Sequence, residues 1–271
     1  MLTKKNPHIL ITGGGSGIGS ELALQLSQTH RVIIVGRNID KLLATQALNP
    51  TQIIAIQADI ASQQGRQDIF EQLPTDCSIS HLIHNAAIIE AEPLTSISPE
   101  SWQRQMSTNI EAPLFLTQAL LPYLAHGSRI LFMSSKLAHE ACVGIGAHCI
   151  SKAALYMLHN CFKLELAALQ IQVGSLRPGA VDTPTQEKVR SFPVNIFPMQ
   201  PNFQALKENN NLQAAEKVAN FISWVLLKTS HQDFSASEWN IYDTSHHQYW
   251  LENNIMQDAI NLDTHQAAII H

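Results

Sequence analysis

Residues 8–19, HILITGGGSGIG, join an apolar run of strand length to a turn built on five glycines. The stretch GIGSELALQLSQ (17–28) then carries helical spacing. Few folds accept such a junction. The chain must turn sharply out of a buried strand and begin a helix whose first N–H groups stay unpaired. Glycines let that backbone approach a pyrophosphate closely, and the helix N-terminus stabilises its charge. The junction therefore predicts a dinucleotide site at the end of a first strand.

The rest of the chain repeats the alternation. Strands are expected at HILIT (8–12), RVIIVG (31–36), QIIAIQA (52–58), SHLIHNA (80–86), SRILFMS (128–134), IQVGSL (171–176) and EWNIYD (238–243). The first six are nearly continuous apolar runs, as in parallel strands buried on both faces. Helices are expected at 17–28, 38–48 and 147–169, with one long helix or two over 100–126, where Pro113 and Pro122 kink or end it. The pattern implies a doubly wound parallel α/β sheet of the Rossmann type, in a single domain. Two segments break the rhythm. Residues 180–212, rich in proline and ending in an Asn run, have the irregularity of an active-site lid. Residues 244–271 form a histidine-containing tail: a docked helix, a subunit contact or a frayed end.

Composition narrows the partners. The net charge of −5, with charged residues at 14%, offers no basic field for nucleic acid or an anionic membrane. The longest apolar region, APLFLTQALLPYLAHGS, is interrupted by polar residues and two prolines and is not a bilayer span. The N-terminus lacks a cleavable apolar segment. Cys77, Cys142, Cys149 and Cys161 have neither metal-ligand nor disulfide-framework spacing, so reduced cysteines in a cytoplasmic protein are expected. No metal site is expected. His139-Glu140 lacks the second histidine of a zinc-protease motif, and His246-His247 alone is a poor ligand pair.

The spacing Thr12-Gly13-Gly14-Gly15-Ser16-Gly17-Ile18-Gly19 resembles the short-chain dehydrogenase/reductase family rather than the common G-x-G-x-x-G loop. The resemblance implies that Gly13, Gly15, Ser16, Gly17, Ile18 and Gly19 hold the cofactor's diphosphate. The family's carboxylate at the end of the second strand, which selects NAD, is missing. Arg37 follows Val35-Gly36 instead. A guanidinium there can bond a 2′-phosphate bidentately, or it is a solvated loop arginine. NADP(H) is the expected cofactor. By the same resemblance Asp59 and Ile60 contact the adenine, although Asp59 could equally cap the next helix. Asn85 and Ala86, in His84-Asn85-Ala86-Ala87, match the family's N-A-G. His84 itself is expected to be a packed strand histidine. Pro178, Gly179, Val181 and Thr183, in Arg177-Pro178-Gly179-Ala180-Val181-Asp182-Thr183, match the segment that reaches the nicotinamide end.

The family's catalytic set is serine, tyrosine, lysine and asparagine. Ser135, Lys152 and Asn109 fall on three of these positions, with Lys152 also on the nicotinamide ribose. The fourth, four residues before Lys152, holds His148. Tyr156 does not rescue the motif, because Asn160 stands four residues after it. Histidine starts near pKa 6.5, and a neighbouring lysine lowers it. Three readings follow: a substitute acid favoured by low pH, a neutral imidazole N–H that polarises a carbonyl in a slow enzyme, or a chain that binds NADP(H) without turning it over. Cys149, about 100° around the helix from position 148, is assigned to packing.

Residues 181–243 resemble the branch containing sepiapterin and benzil reductases, which implies NADPH-dependent reduction of a small ketone or vicinal dicarbonyl. Phe192, Phe197, Met199 and Phe203 then line an apolar pocket, or simply pack the lid. The alternative is a catalytically weak NADP(H)-binding protein acting through a partner. Family members pair through the helices over 100–126 and 147–169, so a homo-oligomer is expected. The expected domain covers residues 1–243, with 244–271 as its tail.

Overall fold

The computed structural model describes residues 6–251. Seven strands form one sheet: β1 (Asn6–Thr12), β2 (Arg31–Gly36), β3 (Ile53–Gln57), β4 (Cys77–His84), β5 (Leu124–Met133), β6 (Gln172–Arg177) and β7 (Trp239–Asn240). All pairings are parallel, in the order β3-β2-β1-β4-β5-β6-β7. The order reverses direction between β1 and β4. That is the switch point where a doubly wound sheet opens a crevice beyond its strand ends.

Side chains alternate along a strand, so each continuous apolar run serves both faces. Ile9 and Ile11 of β1, with Val32 and Ile34 of β2, face α1 (Gly17–Leu26) and the later helix over Ala215–Lys228. Leu10, Ile33 and Val35 face the opposite layer. There Leu116 and Leu120 meet Leu155 and Phe162 across a common core. The remaining helices are α2 (Ile39–Ala47), α3 (Gln63–Gln72), α4 (Pro99–Met106), α5 (Ala112–Leu120), α6 (Gly146–Glu165), α7 (Pro184–Arg190), α8 (Gln200–Glu208), α9 (the Ala215–Lys228 helix) and α10 (His231–Phe234).

The expected helix over 100–126 is two helices joined by a π-helical turn, Ser107–Glu111, with Pro113 in the first turn of α5. Residues 180–212 are more ordered than their composition suggests, since α7 and α8 lie within them. The last expected strand shrinks to two residues, because only Trp239 and Asn240 pair with β6. His84 is a packed histidine as expected, its Nε2 2.8 Å from Thr117 Oγ1. No disulfide joins the cysteines among the described residues. Among the described residues no helix is long and apolar enough to cross a membrane, and no cluster could hold a metal ion.

The first residues of the expected tail dock on the sheet edge as a short 3₁₀ turn, Thr244–Tyr249. His246 accepts from Trp250 Nε1 at Nδ1 (2.9 Å) and donates from Nε2 to the Asn240 carbonyl (3.1 Å). Its ring lies among Phe221, Trp224, Trp239 and Trp250. Residues 252–271 lie outside the described residues.

Candidate functional site

The glycine turn folds as the sequence demands. Gly13 and Gly17 have φ of +72° and +54°, left-handed conformations that favour glycine. A Cβ on Gly19 would run into the Gly13 carbonyl oxygen, and one on Gly14 would sit 2.5 Å from Ile34 Cβ. This is a backbone packed too closely for side chains, with the N-terminus of α1 behind it. Such a cradle fits a diphosphate. Thr12 steadies it: its Oγ1 accepts from the N–H groups of Asn85 and Ala86, both at 3.1 Å. Asn85 Nδ2 in turn donates to the Thr12 carbonyl at 3.0 Å. The role of Asn85 is thus to tie the turn to the end of β4.

A cavity of about 480 Å³ runs from this turn over the ends of the strands. Gly13, Gly15, Ser16, Gly17, Ile18, Arg37, Asp59, Ile60, Asn85 and Ala86 line one part of it. Ser135, His148, Lys152, Pro178, Gly179, Val181 and Thr183 line the other. Gly19 and Asn109 are not on the wall. Gly19 lies in the first turn of α1 against the Gly13 carbonyl, and Asn109 is buried behind the lining. Asp59 is not the cap of α3; that is Ser62, whose hydroxyl accepts from Gly65 N at 2.9 Å. Asp59 Oδ1 instead accepts from Ala61 N at 3.1 Å. Thr183 caps α7 and sits against Gly17, where an added Cβ would meet its methyl at 2.9 Å.

Several cavity residues escaped sequence reasoning. Lys41, in the first turn of α2, brings a second cation to the same wall. Its signal was its place in the helix that opens directly after Arg37 and the N-cap Asn38. Phe203 reaches the cavity, together with Val189 of α7, and also packs on a small core beneath the segment. Phe192, Phe197 and Met199 do not reach the cavity. They pack with Ile89, Ile145 and Cys149 into that small core, and Phe197 is fully buried. The packing role assigned to Cys149 holds, and burial pushes its thiol pKa up. Ile88 and Ile89 also line the cavity, and nothing in the sequence signals their placement.

The backbone of Ile88 organises the reacting end. Asn109, in the π turn, accepts from Ile88 N (2.9 Å) and donates to Ile88 O (2.9 Å). A single π turn of this kind often marks a functional position. Asn109 also donates to Ser151 Oγ, which donates to the His148 carbonyl at 2.8 Å. His148 Nδ1 lies 3.2 Å from the same Ile88 oxygen. Burial first, and then the Lys152 ammonium one turn along α6, push the His148 pKa down to about 3; the Ile88 carbonyl opposes them. Lys152 Nζ donates to the Met133 carbonyl at 2.8 Å, and burial lowers its pKa to about 8. Ser135 caps a 3₁₀ turn, its Oγ accepting from Leu137 N at 3.1 Å. Because a carbonyl oxygen only accepts, the ring nitrogen that faces Ile88 is the one that carries a proton.

A parallel doubly wound sheet with a glycine cradle at its switch point defines a dinucleotide-dependent α/β enzyme. The match to known sequences makes this specific. Residues 7–193 fit the model of the short chain dehydrogenase family, and the chain belongs to that family. A benzil reductase ((S)-benzoin forming) from Bacillus cereus is 26% identical over 79% of this chain and 92% of its own length. A sorbitol dehydrogenase from Cereibacter sphaeroides is 32% identical over 64% of this chain and 70% of its own. A short-chain dehydrogenase from Burkholderia cenocepacia, solved in complex with NADP, superposes with a TM-score of 0.73. It shares 23% identity and covers 88% of this chain and 96% of its own. The protein is an NAD(P)-dependent short-chain oxidoreductase acting on a small molecule.

Proposed function

We propose that the protein reduces a small ketone or vicinal dicarbonyl with NADPH, and that His148 occupies the place of the family's tyrosine. The observation that carries this reading is the one cavity joining the glycine turn, Arg37 and Lys41 to Ser135, His148 and Lys152. The benzil reductase relative supports the substrate class. When bound, the dinucleotide supplies the hydride that reduces the carbonyl carbon.

The chain's own residues do the rest. Gly13, Gly15, Ser16, Gly17 and Ile18 cradle the diphosphate on the α1 N-terminus, and Gly19 lets α1 pack against the Gly13 carbonyl behind them. Arg37, aided by Lys41, holds the 2′-phosphate and so favours NADP(H) over NAD(H). Asp59 and Ile60 flank the adenine, and Asn85 and Ala86 bound the cavity floor. Lys152 holds the ribose. Pro178, Gly179, Val181 and Thr183 bound the nicotinamide end. Ser135 donates to the substrate oxygen, Asn109 fixes Ile88 and the turn below His148, and His148 gives a proton when it is an imidazolium. Residues 180–212 act as the lid over this domain, residues 1–243.

NADPH oxidation with a vicinal diketone, followed from pH 7 to pH 5 for wild type and His148→Tyr, tests the reading. Turnover that rises as pH falls in wild type supports it. A second reading, NADP(H) binding without turnover and action through a partner, is favoured by the low His148 pKa. It gains ground if wild type is silent throughout and the tyrosine variant alone turns over. We also propose a homo-oligomer. Ile150, Met157 and Leu164, seven residues apart on α6, are exposed on one face.

A further inference from the structure

The proton inventory at the reacting end is fixed by hydrogen bonds. The Ile88 carbonyl oxygen faces two donors, Asn109 Nδ2 at 2.9 Å and His148 Nδ1 at 3.2 Å. A carbonyl has no hydrogen to give, so Nδ1 carries the ring's proton. The doubly protonated ring is opposed by burial and by Lys152, the cation on the next turn of α6. Among the described residues, the only carboxylate on the cavity wall is Asp59, beyond β3, four strands from β5. His148 Nε2 is therefore a bare lone pair. It has no hydrogen-bond partner among the described residues and is not among the enclosed polar atoms, so it opens to the cavity that His148 lines.

Ser135 is the complement. Its oxygen accepts from Leu137 N, and its hydroxyl hydrogen remains available to donate. Both residues line the same cavity, so it offers a ligand oxygen one donor and one acceptor. A ketone oxygen, acceptor only, satisfies Ser135 and sets its lone pairs against that of Nε2. An alcohol hydroxyl satisfies both: its oxygen accepts from Ser135 and its hydrogen goes to Nε2.

We propose that at neutral pH this end of the cavity is a hydroxyl-recognition site, with His148 Nε2 the acceptor that selects a secondary alcohol over the matching ketone. This deepens, and rests on, the oxidoreductase reading of the same cavity. A tyrosine at 148 would present a donor and lose the preference.

The test pairs ¹⁵N-histidine spectra with binding of two matched probes, 1-phenylethanol and acetophenone, at pH 7, first without nucleotide and then with NADP⁺. The expected spectrum has His148 protonated at Nδ1 and bare at Nε2. The alcohol binds about 3- to 10-fold tighter than the ketone, the range that one neutral hydrogen bond supplies. His148→Asn, which keeps a donor toward Ile88 but has no atom at Nε2, abolishes the preference. His148→Tyr, whose hydroxyl both donates and accepts, abolishes it as well. A proton on Nε2, or tighter ketone binding by wild type, overturns the proposal. The two arms distinguish the failures: the nucleotide-free arm reads the alcohol preference by itself, and an inability to bind NADP⁺ in the second arm overturns the oxidoreductase reading instead.

Discussion

An imidazole enclosed beside an ammonium has little reason to hold a second proton. At pH 7 His148 is an imidazolium in only about one molecule in 10⁴, from its pKa of about 3. If it is the acid of ketone reduction, kcat/KM rises about tenfold for each unit that pH falls between 7 and 4. Initial rates across that range check this, and a flat profile removes His148 from the proton path. His148→Tyr should gain about 10²- to 10⁴-fold at pH 7, the usual worth of a tuned acid. The buried His84 makes a stability prediction. Burial lowers its pKa to about 3, below the 6.5 of an unfolded chain. The unfolded state therefore binds more protons, so the stabilisation is complete above pH 6.5 and is lost as pH falls toward 3. The slope is up to about 1.4 kcal/mol per pH unit. Urea midpoints at pH 7 and pH 5 measure it, and His84→Gln should make the loss smaller.

Among the elements, the glycine turn and the first six strands were plain in the sequence, since close backbone approach and two-faced burial leave little choice of residue. Other elements were not. α3 has little apolar periodicity, and α9, though strongly periodic at Val218, Ile222 and Val225, sits after an Asn run that reads as loop. The two-residue β7 depends on pairing with β6, which no local pattern reveals. The Ile88 hub was hidden for a related reason, because its function lies in its backbone, not its side chain. Gly19→Ala should cost about 1–3 kcal/mol by overpacking against Gly13 and weaken nucleotide binding. Gly36→Ala is the control for stability, because its added Cβ meets nothing nearer than Leu42 at 3.5 Å. Melting temperatures compare the two. Arg37→Ser should weaken NADPH binding roughly 10- to 100-fold while sparing NADH, the scale of about 1.5–3 kcal/mol for a charged hydrogen-bonded contact. Equal losses for both nucleotides would exclude Arg37 from selection.

For the whole molecule, the α6 stripe of Ile150, Met157 and Leu164 predicts an oligomer that Met157→Glu dissociates, as read by light scattering at micromolar concentration. A wild-type monomer there refutes the pairing. The docked segment 244–251 was legible only as one of three possibilities, because its hold comes from Phe221 and Trp224 on α9. It has an optical consequence. Of the protein's four tryptophans, Trp224, Trp239 and Trp250 share this one aromatic cluster, and only Trp102 of α4 lies elsewhere. Intrinsic fluorescence is therefore dominated by the seat of the C-terminal segment rather than by the cofactor cavity. Protonating His246 Nδ1 would remove the acceptor for the Trp250 indole N–H. Acid should then shift the emission to the red, while oxidised nucleotide leaves it nearly unmoved.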